Sequence, residues 1–361
     1  AIVKPNVISF TAALWACASC GQLESAMSLL EKMRDEGVMP NLISFNAAIS
    51  ACEAGGHWEQ AMSLLNSAQA AGLYADVSTF NAAMVSCKEG AEWNPLLELL
   101  ARMRDLGLTL DSVSYNTAIS VSGSGGQSEI ALFFLREMLE AGLTPDVITF
   151  SSAITACEKS GRYLRAMNLL DDMEKVGITP NVVTYNAAIS ACKTDGQGRR
   201  AISLLDEMQA ADLTPDKISF SSAISVCERI GRWQRATSLL DEMLEVCVTP
   251  EVISFSMAMS ACMKGDQLRF VLSLLARMRK AGITPNAISY NIAMIACQNS
   301  RQWQCALSML DEMYQVEVTP DAVSFSTAIS ACESGRQRRR LLVLVNEMLE
   351  AGMYPPLDNL Y

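Results

Sequence analysis

An apolar pattern of fixed shape recurs along the chain every 35 residues. In residues 182–216 it begins Val182-Val183-Thr184-Tyr185-Asn186-Ala187-Ala188-Ile189-Ser190-Ala191-Cys192. Tyr185, Ala188, Ile189 and Cys192 fall at i, i+3, i+4 and i+7, the spacing of one helical face. The same four slots elsewhere hold Phe or Tyr, then Ala, then Ile, Leu or Met, then Cys, with Ser122 as the exception at the last. An alanine kept in every unit predicts close helix–helix approach, where a larger side chain would clash. A second stripe, Ala201, Leu204, Leu205 and Met208, predicts another helix from about Gly198 to Gln209.

The punctuation between stripes has the same period. Gly37, Gly72, Gly107, Gly142, Gly177, Gly282 and Gly352 follow the second stripe, where a left-handed helix cap is wanted. Asp212, Cys247 and Glu317 replace that glycine, and looser or differently built caps are expected there. Pro40, Pro145, Pro180, Pro215, Pro250, Pro285 and Pro320 come next, with Pro5 and Pro355 in phase and only Ala75 and Leu110 out of pattern. An Asp or Asn then caps the following helix.

Each unit therefore reads as an antiparallel helix hairpin. A fixed period of this length means stacked supersecondary units, an all-α solenoid, and not one globular core. The units run 7–41, 42–76, 77–111, 112–146, 147–181, 182–216, 217–251, 252–286, 287–321 and 322–356. Residues 1–6 match the end of a preceding unit, so the chain is expected to be a piece of a longer array. Residues 357–361 break the pattern as a C-terminal tail.

Composition removes several functional classes. No apolar run approaches the length of a bilayer span, so no membrane partner is expected. Nine of the twelve cysteines (Cys17, Cys52, Cys87, Cys157, Cys192, Cys227, Cys262, Cys297 and Cys332) share one slot. Equivalent helices stacked about 8–10 Å apart exceed the ~7 Å Cα limit for a disulfide, so these residues are expected as reduced core in a reducing compartment. Cys20, Cys247 and Cys305 lie off that grid without an assigned role. The sole histidine, His57, has no partner at metal-ligand spacing and reads as a solvated surface residue, so no metal or other cofactor is expected. Trp58, Trp93, Trp233 and Trp303 open second helices and read as packing residues. The net charge of −11 is awkward for a nucleic-acid binder, which ordinarily carries a basic footprint.

The candidate site lies on the first helices, where the second, fifth, ninth and twelfth positions line up opposite the buried stripe. The fifth position is always small and hydrogen-bonding: Thr11, Asn46, Asn81, Asn116, Ser151, Asn186, Ser221, Ser256, Asn291 and Ser326. The last holds Asn41, Asp76, Asp111, Asp146, Asn181, Asp216, Glu251, Asn286 and Asp321, then Pro356. The second is branched aliphatic (Ile8, Ile43, Val113, Ile148, Val183, Ile218, Ile253, Ile288 and Val323), with Ser78 the exception. Aliphatic surface beside a short polar pair suits a flat heteroaromatic ring, sandwiched on its faces and hydrogen-bonded along its edge. Capping alone accounts for Asp or Asn at the last position. It does not require the fifth to be Asn, Ser or Thr in all units. Lys88, Lys159, Lys193, Arg229 and Lys264, near the first-helix ends, suit phosphate contacts, and solvation by water suits each equally well.

The segment Val-Val-Thr-Tyr-Asn-Ala-Ala-Ile-Ser-Ala-Cys, with Leu-Leu-Asp-Glu-Met and the closing Leu-Thr-Pro-Asp, resembles pentatricopeptide repeat proteins of the pure 35-residue class. The resemblance covers essentially the whole chain. It implies a right-handed α-α superhelix and sequence-specific binding of single-stranded RNA, one base per repeat, in chloroplasts or mitochondria. Other RNA-processing proteins are possible partners, and no small-molecule substrate or catalysis is implied. The resemblance also supplies a base code from the fifth and last positions. Asn46/Asp76, Asn81/Asp111, Asn116/Asp146, Asn186/Asp216 and Asn291/Asp321 imply U. Thr11/Asn41, Ser151/Asn181 and Ser256/Asn286 imply A. Ser221/Glu251 and Ser326/Pro356 depart from the code and imply only a purine, R. The resulting expectation is 5′-AUUUAURAUR-3′, and the alternative is a protein-binding scaffold.

Overall fold

The computed structural model describes residues 5–88, 90, 93–193, 197–350 and 352. Pro355, Pro356, the tail 357–361 and most of the segment 1–6 lie outside the described residues. The chain divides into two compact units, Ala1–Ala191 and Cys192–Tyr361. The first carries α1 (Val7–Ser19), α2 (Leu23–Asp35), α3 (Leu42–Ser50), α4 (Trp58–Ala70), α5 (Val77–Val85), α6 (Trp93–Asp105), α7 (Ser112–Ser124), α8 (Ser128–Glu140), α9 (Val147–Lys159), α10 (Tyr163–Lys175) and α11 (Val182–Ala191). The second carries α12 (Gly198–Ala210), α13 (Lys217–Arg229), α14 (Trp233–Glu245), α15 (Val252–Lys264), α16 (Leu268–Lys280), α17 (Ala287–Asn299), α18 (Trp303–Gln315), α19 (Ala322–Ser334) and α20 (Arg338–Glu350). Among the described residues there is no strand. The fold is an α-solenoid: odd-numbered helices open the repeats and even-numbered helices close them.

Every first helix except α15 begins where an Asx side chain meets its third residue. Asn41 accepts from the Ser44 backbone N–H at 2.9 Å, and Asp76 accepts from that of Thr79 at 2.9 Å. This satisfies one of the orphan donors of the helix start. The core follows the predicted stripe. Phe45, Phe80, Phe220 and Tyr290 are fully buried, with the repeated alanine from Ala48 to Ala328 enclosed between helices. Cys52, Cys87, Cys157, Cys192, Cys227, Cys262, Cys297 and Cys332 are buried thiols in the same layer, and Cys17 is half-buried. Burial pushes the Cys227 and Cys262 thiols up to about 11, which keeps them neutral.

Three first helices are shorter than the stripe suggests, among them α11, which ends at Ala191. α3 stops at Ser50, and the chain tightens into a 3-10 turn, Glu53–Gly55, before Gly56 at φ +62°. α5 stops at Val85, where the Ser86 hydroxyl donates back to the Ala83 carbonyl at 2.6 Å. That back-bonding competes with the helical ladder.

The glycine-free caps correct an expectation. Asp212, Cys247 and Glu317 adopt φ of +56°, +59° and +59°, in the same region as Gly37 at +73°. The bonds are also conserved in form: Leu213 donates to the Met208 carbonyl at 3.1 Å, as Val38 does to Met33 at 2.9 Å. The turn geometry is thus unchanged, and these three side chains occupy a left-handed conformation that L-residues rarely adopt. Trp303 packs against Gly335, and Trp233 packs in the same way. The Trp233 indole fills the place where a Cβ on Gly265 would sit, and its ring centroid lies 4.8 Å from that of Phe270.

Candidate functional site

Along the first helices, the second-position aliphatics stand in solvent. Their exposure runs from 47% at Val323 to 76% at Ile8, although in all but the first the next residue along the helix is buried. One exposed branched aliphatic at the same place in nine of the ten repeats forms a regular series, unlike singly scattered surface residues. The last-position residues are also exposed, apart from half-buried Asn41 and Asp216.

The fifth position is more recessed than expected. Asn81, Ser151, Asn186 and Asn291 are buried, and Thr11, Asn46, Asn116, Ser221, Ser256 and Ser326 are half-buried. In at least seven repeats the third residue of the adjacent first helix reaches back to them. Thr79 donates to Asn46 Oδ1 at 2.7 Å, Ser114 to Asn81 Oδ1 at 2.8 Å, Thr149 to Asn116 Oδ1 at 2.5 Å and Ser324 to Asn291 Oδ1 at 2.6 Å. Ser151 meets Thr184 at 2.7 Å, and Ser256 meets Ser289 at 3.1 Å. Every repeat has Ser or Thr at this third position. This position is absent from the sequence-based expectations; the Asx-x-x-Ser/Thr spacing signals its bond to the cap, but not its second bond, to the repeat before.

Fifth and last positions meet where the described contacts extend to both. Asn81 Nδ2 lies 3.2 Å from Asp111 Oδ1, Asn116 Nδ2 lies 3.2 Å from Asp146 Oδ2, and Asn291 Nδ2 lies 3.0 Å from Asp321 Oδ1. Asn186 belongs to the first unit and Asp216 to the second. Glu251 is different from the other caps. It makes no side-chain cap bond, and its carboxylate pairs with Lys217 instead.

The capping bonds decide which atoms remain to face outward. A backbone N–H only donates, so the Asn41, Asn181 and Asn286 atom that meets it must be oxygen. Their Nδ2 groups are left as donors. In Asp111 and Asp321 the same Oδ1 is engaged, leaving carboxylate oxygen as acceptor. Burial opposes charge on Asp111 and Asp321, but backbone N–H, hydroxyl and amide donors outweigh it and hold both carboxyls below the usual range. At the fifth position, an Asn with its Oδ1 engaged and one Nδ2 proton directed at the Asp carboxylate still offers its second Nδ2 proton. Ser151 and Thr11 donate their protons to the Val147 and Val7 carbonyls at 2.6 and 2.7 Å, leaving oxygen lone pairs. An Asn/Asp pair therefore presents donor then acceptor. A Ser/Asn or Thr/Asn pair presents acceptor then donor.

One such pair lines a measurable pocket. A cavity of about 290 Å³ is bounded by Ile148, Ser151, Asn181, Val183 and Lys88 among others. It brings two second-position aliphatics, a fifth and a last residue, and one predicted cation around one space. The other cations are partly engaged by the protein. Lys264 pairs with Glu228 at 2.6 Å, and Lys159 donates to the Ser124 carbonyl at 2.8 Å. Arg229 donates to the Lys193 carbonyl, and Lys193 lies 3.4 Å from the Ser222 hydroxyl. Lys264 therefore brings little net positive charge to a phosphate.

On the second helices, much of the acidic charge is paired between neighbouring repeats. Arg104 meets Glu137 at 2.8 Å, Arg277 meets Asp241 at 2.5 Å and Arg340 meets Asp311 at 2.6 Å.

Models of the pentatricopeptide repeat domain match residues 2–54, 133–194 and 259–300. A PPR repeat family model matches 180–229, and the single PPR repeat matches 43–73, 113–143, 218–248 and 288–316. Among the curated proteins, none matches the chain. A crystal structure of the pentatricopeptide repeat protein PPR10 in complex with an 18-nucleotide psaJ RNA element is similar, with TM-score 0.68 and 20% identity over 97% of this chain. PPR10 from maize, solved as the protein, is similar with TM-score 0.55 and 19% identity over 98% of this chain. The chain spans 56% and 60% of the lengths of those two structures.

Proposed function

We propose that this chain, which belongs to the pentatricopeptide repeat family, binds single-stranded RNA with one base per repeat, at a site of the form 5′-AUUUAURAUR-3′. The observation that carries the reading is the inversion of hydrogen-bond polarity between the two kinds of side-chain pair. Uracil presents a carbonyl acceptor beside an N3–H donor, which complements the amide and carboxylate of Asn116 and Asp146. Adenine presents an N6 amino donor beside the N1 acceptor, which complements the hydroxyl oxygen of Ser151 and the amide of Asn181. The exposed aliphatics on either side supply apolar faces for the ring. They exclude water from the edge, so that an unmatched polar group there is costly.

The third-position hydroxyls act as positioning residues, since they hold both reading side chains of a pair in one orientation before any base arrives. Such preorganisation lowers the entropy lost on binding. The reading extends to transcripts of plastids or mitochondria, where an occupied stretch would be shielded from exonucleases and kept from folding, with no catalysis by this chain. Few phosphate contacts imply shallow salt dependence, each contributing a log–log slope of roughly −0.7.

Binding of the decamer and of a scrambled decamer, measured by fluorescence anisotropy at physiological salt, tests this. The decamer binds at least tenfold tighter, and Asn186→Ser moves the sixth-base preference from U toward G. Equal, weak binding of all these RNAs contradicts the reading and favours a protein-binding scaffold.

A further inference from the structure

The RNA-binding reading uses no cysteine, and Cys305 falls outside the repeated cysteine slot. It is the nineteenth residue of its repeat, in the first turn of α18. Other repeats carry Arg165, Arg200, Arg235 and Arg340 there. Each of these arginines acts electrostatically on the buried thiol of its own repeat, Cys157, Cys192, Cys227 or Cys332. The nineteenth position therefore overlooks the buried cysteine of the first helix. With cysteine at that position in the ninth repeat, two sulfurs face each other, and Cys297 Sγ and Cys305 Sγ lie 2.9 Å apart. Cys297 is fully buried, whereas Cys305 is half-buried at the second-helix surface. A reagent from solvent therefore reaches the pair through Cys305.

We propose that Cys297 and Cys305 form a dithiol site that exchanges with a small disulfide of the glutathione class, closing a covalent bond between α17 and α18. In the first step the Cys305 thiolate attacks one sulfur of the small disulfide. The old S–S bond breaks, a mixed disulfide forms, and one small thiol leaves with the proton that Cys305 gave up. In the second step the Cys297 thiolate attacks the Cys305 sulfur, and the second small thiol leaves with the proton from Cys297. Two protein thiols are oxidised by two electrons and one small disulfide is reduced to two thiols, so atoms and electrons balance. Burial, reinforced by the Cys305 neighbour, pushes the Cys297 thiol up, which assigns the first attack to Cys305 and the resolving step to Cys297. The bond lies on the hairpin's buried side. Asn291, on the same first helix, points instead to Asp321 at 3.0 Å. Crosslinking thus braces the ninth hairpin without engaging its reading pair.

The test uses the full chain, reduced and then incubated with oxidised glutathione, digested with trypsin and analysed by mass spectrometry without reductant. Arg301 lies between the two cysteines, so the expected product is two tryptic peptides joined by one disulfide, lighter than their sum by two hydrogens and separated by dithiothreitol. Cys305→Ser abolishes the joined product. Cys297→Ala leaves Cys305 carrying one glutathionyl group. Exposed Cys20 and Cys247 report that the reagent was active. The proposal is overturned if those two react while Cys305 does not, or if wild-type Cys305 stops at the mixed disulfide.

Discussion

The two kinds of helix use polar residues in opposite ways. On the second helices, charges pair between neighbouring repeats: Arg340 with Asp311, Arg277 with Asp241, Arg104 with Glu137. These half-exposed pairs are each weak and screened by salt. On the first helices the polar groups are small and mostly uncharged, and one hydroxyl joins the cap of its own helix to the fifth residue of the repeat before. The first arrangement tolerates many sequences of similar charge. The second leaves one outward atom per side chain whose donor or acceptor character is set by residue type. The difference separates cohesion from selectivity, and it explains how a chain of net charge −11 keeps a face suited to a base edge.

Four changes sharpen the contrast, beginning with the layer both faces share. Phe220 is fully buried, and Phe220→Ala should cost about 3–5 kcal/mol in urea unfolding while disturbing both faces. Ser114→Ala removes the hydroxyl that reaches both Asn81 and Asp111. It should cost about 1–3 kcal/mol, because a buried amide oxygen loses its donor, and it should weaken selection at the third base alone. Arg340→Ala should change unfolding free energy by only about 0.2–1 kcal/mol, less at high salt, and leave base preference untouched. A base-specific effect from that second-helix change would break the contrast. Glu251→Asp should restore a missing cap and stabilise by roughly 0.5–1 kcal/mol, read as a raised denaturation midpoint.

Acid provides a graded version of the same test. Asp321 titrates below the ordinary carboxylate range when folded. Its contribution is therefore complete above the unfolded pKa of about 3.9 and is lost as pH falls through the lower folded value. Asp321→Asn keeps a capping oxygen without the titration. Thermal melts of the two proteins should run parallel from pH 8 to 5 and diverge below about pH 4, where the wild type falls faster.

Much of this was legible in the chain. The stripe of Tyr185, Ala188, Ile189 and Cys192 marks a buried face, and all four are buried. First helices begin at Val7, Leu42, Val77 and so on through Ala322, where the Asx caps place them. The pairing of Asn116 with Asp146 is a contact across 30 residues that the 35-residue period makes predictable. Other features were not legible, for identifiable reasons. Recession of Asn81 depends on Ser114 of the next helix, a tertiary contact that no single repeat contains. The cap at Glu317 keeps a glycine-like turn because the surrounding bonds impose it against the residue's own preference. The pairing of Lys264 with Glu228 needed the spacing of adjacent helices to be known.

The most direct test of the account is to invert one pair. Asn116→Ser together with Asp146→Asn should exchange donor and acceptor in the fourth repeat while Asn at the cap preserves the helix start. Competition binding between decamers carrying U or A at the fourth base should reverse, from a preference for U to a preference for A of roughly tenfold or more, equivalent to about 1.4 kcal/mol. Retention of the U preference by the folded double variant, or equal binding of both decamers, would contradict the claim that these paired atoms select the base.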